Sequence, residues 1–72
     1  MKVTVYTKPA CVQCTATYRA LQARGVDYDL VQLTPELAID FSEKHGFRSA
    51  PIVVAGDNIW AGYDPDKIKA YT

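Results

Sequence analysis

Cys11 and Cys14 are the only cysteines in a chain of 72 residues, and they stand three apart in "TKPACVQCTATY". Two thiols at that spacing can do four kinds of work. They can supply half of a metal site, close a structural disulfide, fill a core as small side chains, or cycle between dithiol and disulfide. Zinc takes four ligands, and this pair with the single His45 offers at most three. His45 precedes Gly46, where a solvent-facing place at a helix end accounts for it. A staple between residues this close removes little entropy from the unfolded chain. The start of a helix is an odd place for two inert core cysteines. A redox couple is the reading favoured here, but a bare Cys-x-x-Cys is a weak signal that gains weight only from its surroundings.

The elements that must position the pair can be read along the chain. "KVTVY", Lys2 to Tyr6, alternates apolar and polar and is rich in β-branched residues, as a strand requires. "CVQCTATYRALQARG" reads as a helix stopped by Gly25, with Cys14, Tyr18 and Leu21 on one face. "YDLVQL", Tyr28 to Leu33, is a second strand. Thr34 as N-cap and Pro35 in the first turn open a helix over "PELAIDFSEKH" that Gly46 closes. "PIVVA" is an apolar strand, "GDN" turns the chain, and "IW" starts a hairpin partner. Asp64 and Pro65 open a last short helix, "PDKIKAYT". The order β-α-β-α-β-β-α predicts an α/β domain over residues 1–72, a four-stranded mixed sheet flanked by three helices. This matches the smallest version of the thioredoxin fold.

That order puts Cys11 at or just before the first helical turn, where unpaired N–H groups and the helix dipole favour an anion. Lys8 adds positive potential three residues upstream. Such sites commonly lower a thiol pKa from ~8.5 to about 7 or below. Nucleophilicity falls with pKa, so the gain in attack rate is only severalfold, and the effects on leaving-group quality and redox poise matter as much. Cys14, one turn on, is expected to be more buried and suited to resolving a mixed disulfide. The cycle that follows has the Cys11 thiolate attack a partner disulfide and Cys14 displace the reduced partner. The Cys11–Cys14 disulfide then awaits reduction.

Two further segments bear on the site. Pro51 starts an apolar strand, where a missing N–H is tolerated. Thioredoxin-like folds carry a cis-proline at this place, packed against the Cys-x-x-Cys, which leaves the backbone of Ala50 open to an extended substrate segment. In "WAGYDPDKI", Trp60 reads either as hairpin core or, with Tyr63, as an aromatic docking patch; Gly62 makes a turn and Asp64 caps a helix.

Composition excludes much else. Eight basic and eight acidic residues cancel without forming runs, against a nucleic-acid or acidic-membrane partner held by bulk charge. The longest apolar run, "APIVVAG", is far below the ~20 residues that span a bilayer, and the N-terminus has no signal-peptide block. A cytoplasmic monomer is expected.

"VTVYTKPACVQC", "GFRSAPIVVAGDNIW" and "AGYDPDKI" together make the whole chain resemble the NrdH-redoxins, small glutaredoxin-like proteins that work like thioredoxins. The resemblance implies electron donation to the large subunit of class Ib ribonucleotide reductase and recharging by thioredoxin reductase with NADPH. It implies no bound cofactor beyond the redox disulfide and no metal. By motif, Cys11 is the nucleophile, Cys14 the resolver and Pro51 the cis-proline. Lys8, Val12, Gln13, Ala50, Trp60, Gly62, Tyr63 and Asp64 are the expected partner-contacting residues. One stretch departs: the family's WSGFRP is here "WAGYDP", which puts Asp64 where an arginine is usual. That carboxylate resembles the aspartate with which glutathione-dependent glutaredoxins hold the γ-glutamyl amino group, with Lys8 or Arg48 available to a glutathione carboxylate. The residues before Pro51, Ser49 and Ala50, depart from the Thr-Val of that pattern. Glutathione is therefore kept as the alternative reductant, with a glutathione-ligated iron–sulfur carrier as a third reading.

Overall fold

The computed structural model describes residues 3–71. Lys2, expected to start the first strand, and Thr72, expected to end the last helix, lie outside the described residues. The elements follow the expected order: β1 (Val3–Thr7), α1 (Val12–Ala23), β2 (Tyr28–Gln32), α2 (Pro35–His45), β3 (Ile52–Ala55), β4 (Asn58–Ala61) and α3 (Pro65–Tyr71). The sheet runs β2-β1-β3-β4, with β1 and β2 parallel and the other two pairings antiparallel. This is the mixed sheet that a helical crossover followed by a hairpin must give. The hairpin is one residue tighter than expected: Asn58 pairs with Ala55, and Gly56 and Asp57 alone make the turn.

The helix ends are fixed by local chemistry. The Thr34 hydroxyl accepts the Leu37 N–H at 3.2 Å, and Pro35 occupies the first turn of α2, where its missing N–H is harmless. Beyond α1, the N–H of Gly25 reaches the Gln22 carbonyl and that of Val26 reaches the Leu21 carbonyl. This double bond pattern needs a left-handed residue between helix and exit, supplied by Gly25 at φ 70°.

One face of the sheet carries the core. The register aligns Val5, Val53 and Trp60 in one row and Val3 with Ala55 in the next. Leu21 of α1 and Ile68 of α3 close over them, all within 5% of full burial. Each such aliphatic side chain contributes roughly 1.5–3 kcal/mol. The opposite face is covered more thinly. None of the residues of α2 is fully buried, and it meets the sheet through an edge-on contact of Phe41 with Tyr6 at 5.0 Å.

The buried stripe of α1 is Cys14, Thr17 and Leu21, not Cys14, Tyr18 and Leu21. Tyr18 rides at the margin, stacked on Tyr28 at 6.1 Å. Thr17 can take the inner place because its hydroxyl donates to the Gln13 carbonyl at 2.8 Å, which satisfies a polar group that burial would otherwise strand.

Candidate active site

Cys11 is the N-cap of α1. Its backbone is extended, at φ −103° and ψ 103°, while its carbonyl already accepts the Thr15 N–H at 3.2 Å. The cap's side-chain acceptor, usually an oxygen, is here a sulfur: Cys11 Sγ accepts the N–H of Cys14 at 3.1 Å. No acidic residue sits in the first turn of α1 to compete for the dipole's positive end. The chain reaches this position through Ala10, held at φ 57°, a left-handed conformation that costs an alanine about 1–2 kcal/mol.

Cys11 and Cys14 are joined as a disulfide with their Cα atoms 5.2 Å apart. Cys14 is 2% exposed and Cys11 is half-buried, which is the asymmetry expected of a resolving and an attacking sulfur. His45, weighed above as a third ligand, stacks on Phe47 at 5.3 Å at the end of α2.

One cleft is lined by both cysteines, and a second, which touches neither of them, shares Lys8 with it as a lining residue. The first, about 550 Å³, runs past Cys11, Val12, Tyr18 and Leu30. The other, about 540 Å³, lies between α2 and the Arg48–Ala50 stretch, with Ile39, Phe47 and Ile52 on its walls. Val12, between the cysteines, is 83% exposed, and Leu30 is 51% exposed. An apolar rim of this kind suits contact with another protein.

The Ala50–Pro51 bond is cis, as the fold resemblance implied, and both residues are buried. The Pro51 carbonyl accepts the N–H of Gly62 at 2.8 Å, with Gly62 at φ 85° to make the turn. The next N–H, from Tyr63, donates to the Gln13 side-chain oxygen at 3.2 Å. The β4–α3 loop is thereby tied on one side to Pro51 and on the other to Gln13, one of the two residues between the cysteines. Sequence reasoning placed Gln13 at the site but missed this link, which spans 50 positions.

Two expectations for this loop are revised or refined. Trp60 is 5% exposed within the core, so its ring offers no docking surface; strand alternation turns it inward beside Val53. Tyr63, 43% exposed, is left as the aromatic of the patch. Asp64 accepts the Lys67 N–H at 3.2 Å, and its carbonyl takes the Ile68 N–H, so it does cap α3.

A thiol–disulfide oxidoreductase of the thioredoxin fold is what these features define: an exposed-side sulfur capping a helix, a buried sulfur behind it, and a cis-proline immediately before β3. A glutaredoxin family model matches residues 3–60. The glutaredoxin-like protein NrdH of Escherichia coli is 44% identical over 70 residues, 94% of this chain and 85% of that protein. The Salmonella typhimurium NrdH protein is 46% identical over the same spans. The solved structure of the Escherichia coli NrdH-redoxin superposes with a TM-score of 0.84 at 43% identity, covering 97% of this chain and 93% of the other. The chain belongs to the glutaredoxin family, among its NrdH-type members.

Proposed function

We propose that this protein is the reductant of a class Ib ribonucleotide reductase, recharged by thioredoxin reductase at the expense of NADPH. Similarity along almost the entire chain to NrdH proteins carries the reading. The Escherichia coli relative is described as having a thioredoxin-like activity profile on a glutaredoxin-like chain. The chemistry fits a two-electron carrier. Reduced Cys11 attacks a disulfide sulfur of the client and releases one client thiolate, and Cys14 then attacks Cys11 and releases the second. Two client thiols form for one Cys11–Cys14 disulfide. Among the described residues no helix is long and apolar enough to cross a membrane, and the reading puts the cycle in the reducing cytoplasm.

Similarity to the NrdH proteins, one of them with a thioredoxin-like activity profile, favours thioredoxin reductase over glutathione. Asp64, the residue that resembles a glutathione ligand, places one carboxylate oxygen on the first turn of α3, a purpose it serves whichever system recharges the protein. The test is NADPH oxidation with a disulfide substrate in two arms, one with thioredoxin reductase and one with glutathione and glutathione reductase. Turnover in the first arm only is the expected result, followed by support of deoxyribonucleotide formation by a class Ib enzyme. Turnover in the second arm only would overturn the reading and make the protein a glutathione-dependent glutaredoxin.

A further inference from the structure

Gln13 does something that a surface residue of a first helical turn has no need to do. Its side chain is exposed at the N-terminal end of α1, yet its amide oxygen takes the N–H of Tyr63 at 3.2 Å, from a loop 50 residues away. The same oxygen lies over Gly62, where an added Cβ would meet it at 3.5 Å, an ordinary van der Waals distance. On its other side the loop is held by the Gly62 N–H on the Pro51 carbonyl at 2.8 Å. The next residue, Asp64, is fixed by capping α3. Of these three ties, only the one through Gln13 comes from the turn that carries the disulfide.

The loop so held presents Tyr63, 43% exposed, while Val12, next to Gln13, is 83% exposed. Two apolar groups are thus offered on two segments of chain joined directly by the Gln13 bond. A protein disulfide brings with it a surface broad enough to touch both segments. A small disulfide needs only the sulfur.

We propose that Gln13 is a positioning residue for protein clients: its hydrogen bond to the Tyr63 N–H fixes the Tyr63 loop against the Cys-x-x-Cys turn and so presets the docking wall beside Cys11. Gln13 acts through the loop and not on the reacting sulfurs. The inference rests on the protein-disulfide reductase activity of the chain and is independent of which system recharges it.

The experiment compares wild type, Gln13→Met and Gln13→Glu, each pre-reduced and mixed with excess disulfide. Methionine keeps the length and loses the acceptor; glutamate keeps an acceptor oxygen. The probes are insulin, a protein disulfide, and dithiodipyridine, a small uncharged one. The readout is the ratio of second-order rate constants, insulin over dithiodipyridine, in which any effect of the substitution on Cys11 itself cancels. Gln13→Met is expected to lower the ratio about fivefold, the size of one typical net hydrogen bond. Gln13→Glu is expected to keep it within about twofold of wild type by retaining the bond. Amide hydrogen exchange at Tyr63 is expected to quicken in the methionine variant alone. An unchanged ratio in Gln13→Met with faster exchange at Tyr63 would overturn the proposal, because the bond would exist without guiding clients. Equal loss of the ratio in both variants would overturn it too, and would assign Gln13 to direct contact with the client. Loss of both rate constants in proportion would move Gln13 to the chemistry of Cys11. Insulin reduction is measured first on wild type, so absence of the activity itself is told apart from failure of the proposal.

Discussion

Asp64 is where the structural and functional readings can be pulled apart by substitution. Its carboxylate accepts one N–H of the first turn of α3, and this helix brings the fully buried Ile68 to the core. Replacing an N-cap aspartate by alanine costs about 0.5–2 kcal/mol, and an exposed cap such as this belongs at about 1. For a domain of this size, ~1 kcal/mol moves the midpoint of thermal unfolding by about 4–8 °C. Asp64→Ala is therefore expected to melt about 4–8 °C lower. Asp64→Asn, which keeps an acceptor oxygen and loses the charge, should stay within about 2 °C of wild type by the same conversion. Asp64→Arg should melt like the alanine variant yet turn over with thioredoxin reductase at least as fast as wild type at 25 °C, where the fold has stability to spare. Thermal unfolding followed by circular dichroism and the coupled NADPH assay give the two axes. A large loss of thioredoxin reductase turnover in both the folded Asn and Arg variants would refute the reasoning, because it would make the carboxylate charge part of the reducing site.

Three other outcomes are expected. Cys14→Ser should trap a mixed disulfide between Cys11 and a client, visible as an intact-mass adduct that thiol reductant removes, whereas Cys11→Ser should form none. In the reduced protein, alkylation of Cys11 should reach its pH midpoint below that of an ordinary free thiol, because a helix N-terminus and the Cys14 N–H both favour the thiolate; a midpoint at or above the free-thiol value would count against the cap acting on the sulfur. Leu21→Ala, which removes a side chain only 1% exposed at the centre of the core, should cost about 2–5 kcal/mol in urea unfolding with little change in slope.

The parts of the fold that obey local rules were legible along the chain. Thr34-Pro35 and Gly46 bracket α2 as capping chemistry says, and Gly25 stops α1 as a left-handed exit must. Cys11 and Cys14 stood out because strand, turn and helix follow one another around them. What could not be read depended on contacts between distant segments. Periodicity put Tyr18 in the stripe of α1, but Thr17 fits the inner place once its hydroxyl is satisfied by the preceding turn. Trp60 could face either way until its register with Val53 was known. Nothing in the local sequence of Gln13 announces an acceptor for an amide so far along the chain.

The cap of α1 is also the atom that gains and loses electrons. A hydrogen bond from the Cys14 N–H is stronger to a thiolate than to a disulfide sulfur, so this bond tightens on reduction, while in the oxidised protein the Cys11–Cys14 disulfide itself ties the cap to the first turn. Thermodynamic linkage then runs both ways. Whatever weakens the Cys14 N–H bond to Cys11 while keeping the two sulfurs within reach withdraws stabilisation from the thiolate and makes the protein a stronger electron donor, and whatever strengthens that bond makes it a weaker one. A client that grips Val12 thus sits where it can bias the equilibrium it is about to use. In so small a fold, secondary structure and electron affinity share a single sulfur.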